Sequence, residues 1–265
     1  MKRLEFFIWL KEVQDNISSS ISGCSPRAWN EDHISYTWLQ NITSTFSKVL
    51  ITGTSSHFSI AWDAYKAEGA FEEDNGDIAV LVRLTFPERK TLTGVAFLEA
   101  KRSYSEAKRS YSKSRYRKLK WSQLEYQSSL VSNHRVLLYD KEPIKDCIAN
   151  LVKQGYSLGS AQNLFQEVNA VVVPTPHVLA LRSRAKNLSA MGLPLAYQLC
   201  CRYLQGLDLD FSSQLVSAVR AGVASGVKYL LVVHVVQENE NIAFTDNIEI
   251  DQEYYRRIHS QNWDE

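Results

Sequence analysis

Cysteine is scarce. Cys24, Cys147, Cys200 and Cys201 are the only four in 265 residues, and no two of them stand as C-x-x-C. This removes the usual zinc-site and redox-dithiol signatures. Cys200 and Cys201 fall in an apolar stretch of helical character, where buried free thiols are the expected state. The six histidines are scattered and form no H-E-x-x-H cluster. No apolar run approaches the length needed to cross a bilayer. Val168 to Leu181 is interrupted by prolines, and Val227 to Val236 is short. The opening MKRLEFFIWLKEV is broken by Glu5 and Lys11 and has no small-residue cleavage site, which argues against a secretory signal. The expectation is a soluble, cytoplasmic protein without a membrane partner. A G-x-x-x-x-G-K-[ST] loop is also lacking, so any NTP-driven step would belong to a partner. Net charge is only +1, so the total carries no bias toward polyanions.

The remaining composition is that of an ordinary globular protein, 45% apolar and 22% charged, which excludes disorder of the whole chain. The periodicities predict an α/β protein: one central mixed sheet flanked by helices, with helical additions at both ends. Leu10, Val13, Ile17 and Ile21 share one helical face, and a second helix capped by Asn30 carries Ile34, Trp38 and Ile42. Alternation marks a strand over residues 58–66, and Asp74-Asn75-Gly76 marks a turn. Strands are expected over 77–86, 92–101, 134–139, 168–173 and 228–236. Helices are expected over 121–132, 145–165 and much of 193–224. This divides the chain into a helical N-terminal part at 1–57, a core with helical insertions at 58–236, and an acidic tail at 237–265. The tail holds eight Asp or Glu against Arg256 and Arg257, and reads as a solvated segment with an ordinary terminal helix.

The informative segment is the hairpin over 77–101. A turn centred on Glu88 with no bulge sets Leu81 opposite Val95, Ala79 opposite Phe97 and Asp77 opposite Glu99. Opposed side chains on one face have Cβ atoms ~5 Å apart, and Lys101 lies two residues past Glu99 on the same face. Two carboxylates and one ammonium thus gather at one end of the hairpin. Close carboxylates repel unless a cation intervenes. Their oxygen ligands suit Mg²⁺, with Mn²⁺ as a substitute and the Ala100 carbonyl as a further donor. The lysine would orient a nucleophilic water or neutralise oxygens at phosphorus. Taken singly, Asp77 could merely close the turn, and Glu99 and Lys101 could be edge-strand charges. Their coincidence at the end of the apolar run Gly94 to Leu98 favours a catalytic site.

Gly76-Asp77-Ile78-Ala79, followed by Phe97-Leu98-Glu99-Ala100-Lys101, resembles the PD-(D/E)xK restriction-endonuclease-like superfamily. That pattern has an Asp opening one strand and a Glu-x-Lys ending the next. Here glycine stands before the Asp in place of proline. Gln123-Leu124 and the strand ending Leu137-Leu138-Tyr139 also resemble bacterial members, many of them effector nucleases of DNA-targeting or anti-phage systems. The likeness covers residues 58–140, about a third of the chain. It implies catalysis by Asp77, Glu99 and Lys101, with metal at Asp77 and Glu99. The family usually adds a helical Glu before the first core strand. Glu31 fits that place, and Glu73 competes for it, although a solvated surface carboxylate is the commoner fate of either alone. Gln123 would touch phosphate or water, or would simply face solvent. The related exonuclease pattern Gln-x-x-x-Tyr is not met, because Gln127 stands where the tyrosine would be. The implied activity is a DNA endonuclease in bacterial defence. An RNA-cleaving nuclease and a non-catalytic nucleic-acid-binding or scaffold subunit are the alternatives, and an ATPase or sensor subunit is the expected protein partner.

Lys101 to Lys120 contains nine Lys or Arg and a single acid, Glu106, interleaved with Tyr104, Tyr111 and Tyr116. Lys101-Arg102-Ser103-Tyr104-Ser105 recurs within it as Lys108-Arg109-Ser110-Tyr111-Ser112. Basic side chains neutralise phosphates and aromatics stack on bases. The segment leaves directly from the proposed catalytic strand. Arg102, Lys108, Arg109, Lys113, Arg115, Arg117 and Lys118 are therefore the expected nucleic-acid contacts, with DNA ahead of RNA.

Overall fold

The computed structural model describes residues 2–52, 57–68, 76–87, 90–104, 115–182, 186–222, 226–238 and 248–258. Ten strands form one mixed sheet. They are β1 (Lys2–Glu5), β2 (Lys48–Thr52), β3 (His57–Ala67), β4 (Ile78–Thr85), β5 (Thr91–Arg102), β6 (His134–Tyr139), β7 (Ala170–Pro174), β8 (Leu193–Pro194), β9 (Tyr229–Glu238) and β10 (Tyr255–Arg257). Their order across the sheet is β1-β2-β3-β9-β4-β5-β6-β7-β8, with β10 on β3. β2 pairs the first half of β3 and β10 its last residues, Tyr65 to Ala67. Helices are α1 (Phe6–Ser22), α2 (Glu31–Thr45), α3 (Trp121–Leu130), α4 (Ile148–Lys153), α5 (Leu158–Leu164), α6 (Thr175–Leu181), α7 (Leu195–Tyr197, continued as a π-helix over Gln198–Arg202) and α8 (Ser213–Ala221). Among the described residues no helix is long and apolar enough to cross a membrane.

Strand β9 lies between β3 and β4, antiparallel to the first and parallel to the second. Its Leu230 to Val233 run is buried throughout, as expected where both faces of a central strand are covered. The larger core takes Leu10, Val13, Ile17 and Ile21 of α1 and Ile34, Trp38 and Ile42 of α2 against alternate sheet residues such as Val80, Ala96 and Leu98. Each such side chain contributes about 1.5–3 kcal/mol when removed from water. The opposite face carries a smaller core, where Ala79, Leu81, Val95 and Phe97 meet Val216 and Val219 of α8. The four cysteines are buried and unbridged, and burial pushes the thiols of Cys147 and Cys201 up to about 12.

The ends of the chain differ from expectation. The N-terminal part is not purely helical, because β1 and β2 join the sheet. The boundary at 236 falls inside β9. The described part of the acidic segment is not helical, and although Glu249, Asp251 and Glu253 are exposed, its apolar residues are docked on the protein. Ile248, Ile250 and Tyr254 pack on the smaller core, Tyr255 is buried, and residues 255–257 form β10. Apolar residues at 248, 250, 254 and 255 outweigh the local acidity once a sheet edge is available. The region 145–165 divides into α4 and α5, and Thr175–Leu181 forms α6 where only an apolar run was apparent.

Candidate active site at the end of the β4–β5 hairpin

The hairpin has the register expected from its turn: Thr85 pairs with Thr91, Leu81 with Val95, Ala79 with Phe97 and Ile78 with Leu98. Asp77 stands one residue beyond the last regular pair and belongs to two strands at once. Its N–H donates to the Leu98 carbonyl at 2.9 Å, while its own carbonyl accepts from Lys228 N at 3.1 Å and Tyr229 N at 3.0 Å. Gly76 brings the chain into this position with φ +116°. A Cβ there would lie 2.9 Å from the Leu98 carbonyl oxygen. Proline, with φ fixed near −65°, cannot occupy this site, which accounts for glycine before the aspartate.

The side chains are held as closely as the backbone. Asp77 Oδ2 accepts the Ala100 N–H at 2.8 Å, and its Oδ1 lies 3.7 Å from Lys228 Nζ. Glu99 is fully buried. Its Oε1 accepts from Lys101 Nζ and, at 3.1 Å, from Gln123 Nε2, and its Oε2 accepts from Gln127 Nε2 at 2.9 Å. Gln123 and Gln127 are one turn apart on α3 and so face the same way. Gln123 thus serves a carboxylate rather than solvent. Gln127, which the exonuclease pattern discounts, is buried against the same carboxylate.

Glu31 opens α2, whose start is fixed by Asn30 Oδ1 accepting from His33 N at 2.8 Å. Tyr139 Oη accepts from Trp38 Nε1 at 2.8 Å and Tyr229 Oη donates to Asp32 Oδ1 at 2.9 Å, which anchors α2 to β6 and β9. Glu31 Oε1 accepts from Arg102 N at 3.3 Å, and its Oε2 stands 3.7 Å from Arg102 Nε. Burial, the largest single influence, pulls the Lys101 pKa down. The charges of Glu99, Asp77 and Glu31, with the Glu99 hydrogen bond, outweigh it and leave the ammonium above its ordinary value. All three carboxylates therefore act on one lysine.

The charges in this cluster are internally matched. Glu99 faces Lys101, Glu31 faces Arg102, and Asp77 faces Lys228. The repulsion that a metal was expected to relieve is relieved by lysine and arginine. Among the described residues no group of three His, Cys, Asp or Glu is placed to hold a metal. The donor set itself is all oxygen and suits a hard cation: Asp77, Glu99 and the Ala100 carbonyl, which projects to the same strand edge as the N–H bound by Asp77. Lys228 is the residue that sequence reasoning missed. It lies far along the chain, and only the insertion of β9 beside β4 brings it in.

Glu73 and the basic residues Lys108, Arg109 and Lys113 lie outside the described residues. Arg102 is engaged with Glu31, and its guanidinium lies 4.1 Å over the Tyr104 ring. Arg115 is bound to Asp140 Oδ2 through Nε at 2.6 Å and to Glu142 Oε2 through a terminal nitrogen at 3.1 Å. Tyr104 N donates to the Arg115 carbonyl at 3.0 Å, joining the two ends of segment 105–114. Arg115 is therefore a structural clasp, and Tyr116 is buried. Arg117 and Lys118 are exposed. Compared with protein-family models, with curated proteins and with solved structures, the chain matches none.

Proposed function

We propose that this chain is a metal-dependent phosphodiesterase of the PD-(D/E)xK restriction-endonuclease-like type, cleaving nucleic acid, with DNA as the first substrate. The observation that carries the reading is that Asp77, Glu99 and Glu31 are bonded to the consecutive residues Ala100, Lys101 and Arg102 at the end of one hairpin. The run from Glu31 on α2 through β4, β5 and the α3 crossover to parallel β6 supports a core of that type. Asp77, Glu99 and the Ala100 carbonyl would hold Mg²⁺ or Mn²⁺, which when bound activates water and stabilises charge at phosphorus. The neighbouring carboxylates favour the Lys101 ammonium, which would neutralise developing negative charge. Gln123 and Gln127 position Glu99. Action in the cytoplasm in bacterial defence, beside an ATPase or sensor subunit, completes the proposal and rests on the sequence resemblance.

A non-catalytic nucleic-acid-binding or scaffold role is the second reading. It is favoured by the complete burial of Glu99 and by the matched charges around it. Plasmid and RNA substrates incubated with Mg²⁺ or with EDTA distinguish the two. Mg²⁺-dependent cleavage that disappears in Lys101→Ala supports the enzyme. Binding without cleavage of either substrate supports the scaffold.

A further inference from the structure

We infer that a cavity between β6, β7 and the π-helix is a second binding site, for a small phosphomonoester. It does not rest on the nuclease reading, because Arg135 pairs beside Leu98 and lies on the opposite sheet face from Glu99. The cavity is about 270 Å³ and is lined by Arg135, Arg202 and Lys153, with Asp208 the only carboxylate in its wall among the described residues. Asp208 accepts from Arg202 Nε at 2.7 Å, Arg202 Nη2 at 3.0 Å, Gln198 Nε2 at 2.9 Å and Arg135 Nη2 at 2.9 Å. Four bonds fill the acceptor capacity of a carboxylate. Two guanidinium groups thus share one saturated carboxylate, and Lys153 lines the same cavity. Arg135 is 9% exposed, and among the described residues its buried Nε has no hydrogen-bond partner. Its Nη2 is paired with Asp208, but a buried N–H left without an acceptor is costly unless one arrives.

Two backbone features hold this arrangement. Asp208 lies in the left-handed region at φ 61°. Gln198 and Arg202 are the two ends of the π-helix, a rare turn that recurs at functional sites. The surplus of two positive charges matches a phosphate dianion better than a carboxylate, and guanidinium groups bind phosphate through paired N–H donors. Pro174, Met191 and Leu193 give one wall an apolar surface for the rest of the molecule. The volume lies just below the roughly 300–1,000 Å³ range of small-molecule sites, which favours a small ligand.

The test is a thermal-shift and calorimetric titration of the full chain in EDTA, at constant ionic strength, with ribose 5-phosphate, AMP, inorganic phosphate and adenosine. The expected result is binding by at least one of the two phosphomonoesters, tighter than inorganic phosphate, and none by adenosine. Binding by AMP alone would show that the base is read, and by ribose 5-phosphate alone that the wall accepts only the sugar. Lys153 is exposed, so Lys153→Glu leaves the fold intact and should weaken binding about tenfold, as should Arg202→Gln. Equal binding of inorganic phosphate and both esters, no binding of any, or affinities unchanged in both variants would overturn the assignment.

Discussion

The Ala100 N–H donates to Asp77 Oδ2 at 2.8 Å, so the aspartate side chain occupies the place that a backbone carbonyl of β4 would take if the strand continued. The carboxylate is therefore positioned by the sheet itself, beside the Glu99-Ala100-Lys101 segment. Catalysis by such a cluster depends on charge, whereas its assembly depends on hydrogen bonds.

Glu99→Gln and Lys101→Ala should each lower nucleic-acid cleavage by ~10²–10³, the usual cost of removing a charge-stabilising group. Glu99→Gln preserves side-chain shape at a fully buried position. Cleavage rates, with circular dichroism to confirm folding, provide the check. A folded Lys101→Ala protein of full activity would exclude the proposed role.

Gln127→Leu should reduce kcat more than KM, because Gln127 positions Glu99 rather than touching substrate. Loss of the bond leaves a buried carboxylate oxygen short of a donor, worth about 1–3 kcal/mol. Steady-state kinetics beside urea denaturation would separate the two effects. Gln127→Asn, too short to reach, should resemble leucine.

Gly76→Ala should destabilise the fold by about 1–3 kcal/mol, the usual cost of a residue held in a sparsely populated backbone region. Its φ of +116° and the 2.9 Å approach to the Leu98 oxygen both oppose a side chain. Chemical denaturation measures this, and an unchanged midpoint would contradict the backbone geometry.

Substitution of Lys108, Arg109, Arg117 and Lys118 by alanine should weaken nucleic-acid binding for all sequences alike. The salt dependence should flatten by a log–log slope of roughly 0.9 for each lost phosphate contact on duplex DNA. Arg115 is left intact because Asp140 and Glu142 hold it. Titrations at several salt concentrations, in a Glu99→Gln background, give the slope. Unchanged binding would make the basic segment a solvated surface.

Acid should loosen the Asp208 cluster. Burial raises the Asp208 pKa, but hydrogen bonds from Arg202 and Gln198 and the charges of Arg135 and Arg202 lower it further, so the folded value lies below 3.8. A depressed carboxylate contributes stability above its unfolded pKa and loses it as pH falls through the folded one. Unfolding free energy should therefore drop below pH 4 more steeply in the native protein than in Asp208→Asn, as measured by denaturation across pH.

The turn position made much of the hairpin legible. The turn centred on Glu88 set the register of Ala79 against Phe97 and Leu81 against Val95, and the apolar spacing of α1 and α2 predicted their buried faces. What escaped depends on distant pairing. β1, β2 and β10 are three to five residues long, too short for a period to show, and they exist because an edge is present to receive them. Lys228 and Gln127 carry no local motif. Each acquires its place from a strand or helix brought to the cluster by the fold. The compensation of Asp77 by Lys228 was invisible for the same reason.

The position of β9 also bears on the order in which the molecule is made. The β4–β5 hairpin is local in sequence and can pair as soon as residue 102 is synthesised. Its other neighbour in the sheet arrives more than a hundred residues later, and such non-local pairings form late. Until then the Asp77 carbonyl has neither the Lys228 nor the Tyr229 amide, and β3 has no path to β4. A nascent or truncated chain ending before residue 228 would carry Asp77, Glu99 and Lys101 without holding them in their final arrangement. The cluster is therefore completed only once β9 has taken its place between β3 and β4.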